Sequence, residues 1–152
     1  MKSVTLNLDG TADTQAEEHF WGFTDDRTTL EVREGPEKRQ FDLAERTAVF
    51  GEAVIAFAKR VPQNPVNNRL IDQLVGAGTS VGANYCEADD GATMRDFKHK
   101  ICLCRKEARE TKFFLRMIAK AEPSLKAEAR VLWQEAKELH LIFSAIWRKS
   151  VV

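Results

Sequence analysis

The chain has 152 residues, 43% hydrophobic and 30% charged, with 23 basic and 23 acidic side chains. That length suits one domain with a real core, and the composition is that of an ordinary globular protein. No apolar run approaches the ~18 residues needed to span a membrane. The start, MKSVTLNLDGTADTQAEEHF, has no apolar stretch of a signal peptide and is too acidic for a transit peptide, so a cytoplasmic protein with no membrane partner is expected.

Residues 1–40 differ from the rest. They hold 5 Lys/Arg against 9 Asp/Glu, whereas residues 41–152 hold 18 against 14. Their apolar periodicity is weak and Gly, Thr and Asp recur, which predicts an acidic, largely irregular extension, flexible or ordered by docking on a partner surface. Its one sticky element is HFWGF (His19–Phe23). That cluster is a candidate docking motif for a protein partner and equally readable as a non-specific aromatic patch.

After Phe41 the pattern becomes helical. Asp42, with Glu45 three residues on, reads as a capping box. Leu43, Phe50, Val54, Phe57 and Val61 then recur at helical spacing until VPQNP (Val61–Pro65) ends the first helix. A second helix is predicted from Val66–Asn68 to about Ala88, followed by a DDGAT loop. Thr93 caps the third helix, in which Met94, Phe97, Ile101, Cys104, Ala108, Thr111, Leu115 and Ile118 form a heptad seam. A second seam on the same helix takes in Leu103, Glu107, Glu110, Phe114, Met117 and Ala121, so this helix is expected to pack on two sides. AEPS breaks it, with Ser124 as the expected cap of a fourth helix carrying Leu125, Ala129, Leu132, Ala136, Leu139, Phe143 and Ile146. Four helices with short loops predict an all-α, up-down-up-down antiparallel four-helix bundle over residues 41–152.

The stretch LVGAGTSVGANYCEADDGA (Leu74–Ala92) holds four of the chain's eight glycines. It is not a dinucleotide fingerprint: Gly76 and Gly78 fit GxGxxG, but Val81 stands at the third position and an amphipathic helix, not a strand, precedes it. A P-loop signature is absent. Gly78 and Gly82, with Ala77, Ser80 and Ala83, instead read as a smooth strip for close helix approach. Each glycine costs a helix interior about 0.5–1 kcal/mol relative to alanine, which only close backbone contact offsets.

Catalytic, cofactor-binding and metal residues are expected to be absent. Cys86, Cys102 and Cys104 lack CxxC spacing and read as reduced, buried thiols. Glu107-Ala108-Arg109-Glu110 lacks the histidine that a Glu-x-x-His di-metal bundle site requires, and no nucleophile–base pair stands out. The remaining candidates are of two kinds. Met94–Lys120 holds nine basic against three acidic residues, which makes Arg95, Lys98, Lys100, Arg105, Arg109, Lys112 and Arg116 candidate nucleic-acid contacts, beside the simpler reading of a solvated face. Asn84, Glu87, Lys106, Glu107 and Glu110 are expected to form a structural polar network, with cations of a neighbouring copy holding the Glu107 and Glu110 carboxylates. Trp133, His140 and Trp147, one heptad apart, are expected to pack at an interhelix or subunit contact, or else to stack bases.

The segment TSVGANYCEADDGATMRDFKHKICLCRKEARETKFFLRMI (Thr79–Ile118) closely resembles the four-helix-bundle proteins encoded in intervening sequences of bacterial 23S ribosomal RNA genes. SVGANYCEA, the Asp96-Phe97-x-x-Lys100 step and KEARET with FLRMI carry the resemblance, which extends more loosely over 41–148. It implies a helical bundle assembling as a homo-oligomer, a cyclic pentamer, with no catalytic residues to carry over. A related branch, the accessory proteins of diversity-generating retroelements, is strongly basic, forms a pentameric barrel, binds nucleic acid and works with a reverse transcriptase. The formally neutral charge of this chain makes any RNA or DNA binding expected to be weak. The function expected is therefore that of a non-enzymatic oligomeric bundle and nucleic-acid accessory factor, or alternatively of a protein-interaction adaptor working through residues 1–40.

Overall fold

The computed structural model describes residues 14–23 and 42–150. The chain divides into two units, Met1–Arg39 and Gln40–Val152. In the first, Thr14–Trp21 form α1, a helix that the weak apolar periodicity there did not predict. Glu17 and Trp21, one helical turn apart, are its buried positions. Phe20 and Trp21 of the HFWGF cluster meet edge to face at 5.0 Å, and Gly22 supplies the positive φ of 75° that ends the helix. The extended pieces considered around Val4–Leu8 and Thr29–Val32 lie outside the described residues.

The second unit is the predicted bundle, with α2 Leu43–Ala58, α3 Pro65–Asp89, α4 Met94–Ala121 and α5 Lys126–Lys149. No strand occurs among the described residues. Each helix packs on the next in sequence, most extensively α3 on α4 and α4 on α5, while α2 touches α5 only lightly. The caps explain most boundaries. Asp42 accepts from the Glu45 amide at 3.1 Å, and Thr93 accepts from the Asp96 amide at 3.1 Å, both as predicted. Asn64 accepts from the Val66 and Asn67 amides at 3.1 and 2.8 Å and starts α3 at Pro65, earlier than expected. Pro65 thus opens a helix instead of only closing one, since its missing amide is no loss at the first helical position.

Ser124 does not cap α5. It sits inside a 3-10 turn, Pro123–Leu125, that runs directly into the helix, and the first turn of α5 has no side-chain cap. A capping hydroxyl needs a non-helical, extended backbone to reach the amides ahead of it, and a residue already in a helical turn lacks it.

The core is built from the predicted stripes. Leu43, Phe50, Val54, Phe57 and Val61 are buried, as are Ile101, Cys104, Ala108, Thr111, Leu115 and Ile118, and Ala129, Ala136, Leu139 and Phe143. The α4 stripe is shorter than the pattern suggested: Phe97 is half-buried and Met94 is 55% exposed. The glycine strip lies where α3 crosses α2. A methyl group at Gly78 would stand 2.8 Å from Val54 Cγ1, and one at Gly82 would stand 3.3 Å from Thr47 Oγ1. Gly51 answers from α2, facing the Thr79 backbone. Gly76 faces open space.

Buried Asn67 escaped the sequence reading. Asn67, 1% exposed, donates to the Pro62 carbonyl at 2.8 Å and to Glu122 Oε1 at 2.7 Å. A single side chain thereby joins the α2–α3 connection to the end of α4 and satisfies groups that burial would otherwise orphan.

Candidate assembly and nucleic-acid surfaces

Helix α4 presents three faces beyond a bare amphipathic pattern. One is the core stripe. A second, offset toward α5, carries Lys98, Arg105, Arg109, Lys112 and Arg116 at steps of three, four and seven. A third, on the α3 side and outward, carries the predicted second seam.

The basic stripe meets the aromatic stripe of α5. Lys98 Nζ lies 5.0 Å and Arg105 Cζ 4.6 Å from the Trp147 ring centre. Lys112 Nζ lies 5.1 Å and Lys137 Nζ 5.5 Å from that of Trp133. Such contacts place a cation on the negative face of the ring and contribute about 0.5–2 kcal/mol each, depending on exposure. His140 sits between the two tryptophans in sequence. Burial, then the positive charge of Lys112, Arg109 and Arg105, pushes its pKa down to about 4, so it is neutral at physiological pH. Because this histidine takes up its proton more readily in the unfolded chain, it favours unfolding as pH falls from about 6.5 toward 4 and is without effect above that window.

The seven candidate nucleic-acid contacts are therefore dispersed. Five belong to the α5-facing stripe, where Lys98 and Arg105 engage Trp147, and Lys112 is buried at 8% exposure. Lys100 turns the other way and pairs with Glu87 of α3. Arg95 and Arg109 are exposed.

The expected polar network is not drawn together within one chain. Asn84 donates to the Ser80 carbonyl of its own helix at 2.8 Å. Glu87 pairs with Lys100, and Lys106 stands 3.7 Å from Glu110 along α4. Glu107 has no ion-pair partner among the described residues. Burial, then repulsion by Glu110, raises its carboxyl pKa above the usual carboxylate value.

Around it, Leu103, Phe114 and Met117 are half-buried, and Phe113 is 54% exposed. Phe113 and Phe114 pack edge to face at 5.2 Å, and with Gln73, Lys106, Arg109 and Glu110 they line a shallow hollow. The second seam is thus an apolar ridge with a half-desolvated carboxylate in its middle, only partly covered by α3. Phe113, the most prominent residue of the ridge, was absent from the predicted seam. It lies one position before Phe114, on the outward flank.

The cysteines are free, but they are not uniformly buried as expected. Only Cys104 is buried, with burial pushing its thiol up to about 12, while Cys102 is half-buried and Cys86 exposed. Cys86 follows Gly82 by one turn, on the outward side of α3. No group of His, Cys, Asp and Glu able to hold a metal ion occurs among the described residues. No described helix is long and apolar enough to cross a membrane.

The architecture is that of an all-α four-helix bundle whose longest helix, α4, carries more apolar surface than its own neighbours cover. Residues 39–145 match the family model of the 23S rRNA-intervening sequence proteins, and the chain belongs to that family. Its fold is similar to that of a crystallised protein of unknown function from the S23 ribosomal protein family of Bacteroides thetaiotaomicron, with a TM-score of 0.62 and 22% identity over 70% of this chain and 99% of that one. No curated protein matches the sequence.

Proposed function

We propose that the protein is a non-enzymatic homo-oligomeric scaffold whose copies associate through the α4 ridge, with a pentamer the number the family resemblance implies. The observation that carries this reading is the ridge itself: Leu103, Phe113, Phe114 and Met117 are incompletely covered, although full burial of one such side chain contributes about 1.5–3 kcal/mol. A contiguous exposed apolar patch of this kind marks an interaction surface. Glu107, partly buried and without an ion-pair partner among the described residues, fits a position completed by a neighbour.

Sedimentation velocity of the full chain tests this. The expected species is a multiple of the 17.2 kDa chain, reduced to a folded monomer by Phe113→Asp. A 17 kDa species at micromolar concentration overturns the reading.

A nucleic-acid accessory role is the second reading. It is favoured by the alignment of Lys98, Arg105, Arg109, Lys112 and Arg116 on one stripe, with Trp147 alongside. Binding of this origin weakens steeply with added salt, so tight binding to RNA or DNA that is unchanged at high salt contradicts it. The adaptor role of residues 1–40 is tested separately, by deleting them and repeating a pull-down.

A further inference from the structure

We infer that the face shared by α4 and α5 holds a site for one phosphate group, gripped by Arg105, Arg109 and Lys112 around His140. This builds on the nucleic-acid reading of the same stripe and adds a discrete site to it. A strand and a free phosphate compound present the same oxyanion there, so the source is a matter for the test.

Packing draws the positive charge together. Arg105, Arg109 and Lys112 follow one another at steps of four and three, so they share one side of α4 within two turns. Lys112 of α4 and Lys137 of α5 share the Trp133 ring, and Lys98 and Arg105 share that of Trp147. His140, midway between the two indoles in sequence, feels Lys112, Arg109 and Arg105 together.

The carboxylates of the two helices are placed elsewhere. Glu128, Glu135 and Glu138 of α5 pair with Arg60 and Arg46 of α2. On α4, Asp96 accepts from the Thr93 hydroxyl at the N-terminus, Glu110 stands beside Lys106, and Glu107 belongs to the ridge. The side chains that α4 and α5 bring to their common face are therefore cationic or neutral.

Stability alone does not call for this arrangement. Lys112 is 8% exposed, at a place where an apolar side chain of similar size would cost less desolvation. A cation held on an indole face still repels its neighbours, and an oxyanion set among them reverses the sign of that interaction. Arg105 and Arg109 offer planar, paired N–H donors that match phosphate oxygens, and Lys112 supplies a point charge. His140 reports the ligand, because the three cations disfavour its proton and a bound anion offsets them.

Histidine-ring NMR of the full chain reads the site. In saturating inorganic phosphate, compared with sodium chloride of equal ionic strength, His140 is expected to titrate about one unit higher, while exposed His99 does not move. Arg109→Gln, at an exposed position, is expected to weaken phosphate binding about tenfold, and Arg69→Gln, the same loss of charge on the exposed surface of α3, by less than about twofold. An unmoved His140, equal movement of His140 and His99, or equal losses in the two variants overturns the inference.

A single-stranded oligonucleotide identifies the source. If it displaces phosphate and is weakened to the same degree by Arg109→Gln, the phosphate is that of a strand. Phosphate that shifts His140 with no oligonucleotide binding keeps the site, assigns it to a free phosphate compound and overturns the nucleic-acid reading. An oligonucleotide that binds with His140 unmoved keeps that reading as diffuse attraction and overturns this inference. Polyglutamate raising His140 as far as phosphate does overturns the phosphate assignment.

Discussion

Helix α2 is held on its two flanks by different means. Toward α3 the contact is close and has few side-chain atoms in it: Gly78 sits against Val54, Gly82 against Thr47, and Gly51 against the Thr79 backbone. Toward α5 the contact is sparse and is spanned by long charged side chains. Arg46 donates to Glu135 at 2.7 Å and to Glu138 at 2.6 Å, and Arg60 reaches Glu128 at 2.6 Å. The first flank derives its strength from dispersion and excluded water, which tolerate no added volume. The second relies on ion pairs that remain partly hydrated and add little each. Gly78 and Gly82, which cost α3 helix propensity, are therefore placed where distance matters, and the arginines where it does not.

Gly78→Ala tests the close flank most severely. The new methyl would collide with Val54, which is fully buried and stiff about its first torsion. Despite alanine's better helix propensity, a net loss of about 1–3 kcal/mol is expected, read as a lower midpoint in urea. A stability gain would show that the helices can simply move apart.

Arg46→Ala is expected to cost about 1 kcal/mol, since its side chain is 24% exposed and its loss leaves Glu135 and Glu138 as unshielded neighbours. A double-mutant cycle with Glu135→Ala measures the coupling, and a value near zero would reduce the open flank to incidental contact.

Gly76→Ala sharpens the comparison from the other side. It is only two residues from Gly78, on the other side of the helix, and faces open space, so the change should stabilise by about 0.5–1 kcal/mol. Thermal melts of Gly76→Ala and Gly78→Ala side by side should move in opposite directions.

The smallest effect is expected from Arg60→Ala. Its pair with Glu128 is 57% and 43% exposed, so the change should stay within about 0.5 kcal/mol and vanish at high salt. A loss above 1 kcal/mol would mean that the α2–α5 flank is drier than its exposure indicates.

The sequence made the helices legible because their signals are local and redundant. The apolar stripes, Asp42, Thr93 and the prolines each act within one turn. Gly78 and Gly82 could be read as a packing strip because nothing else explains their cost in a helix. The partner helix, α2, could not be read from them. Ser124 misled because a 3-10 turn displaces a cap without changing the residues around it.

Asn67 was invisible because its two acceptors, the Pro62 carbonyl and Glu122, are brought together only by the fold. The candidate surfaces were legible in part. The second α4 seam follows from spacing, but Phe113 stands one position off the heptad. Which cations of α4 turn toward Trp147 and which toward Glu87 depends on where α3 and α5 lie. Within one chain the expected polar network separates: Glu87 pairs with Lys100 of the adjacent helix and Glu110 stands within a turn of Lys106, while Glu107 has no ion-pair partner among the described residues.

The order in which the helices pack also bears on how quickly the bundle forms. Each of the pairs α2–α3, α3–α4 and α4–α5 is a hairpin joined by a short connection, so most native contacts close small loops. Chains of that kind have low contact order and fold in microseconds to milliseconds. Only the α2–α5 edge joins the ends of the bundle, and it is the one tied chiefly by surface ion pairs. Opening should therefore begin there, with α2 swinging off as a unit, and its amides should exchange with deuterium ahead of those in the middle of α4.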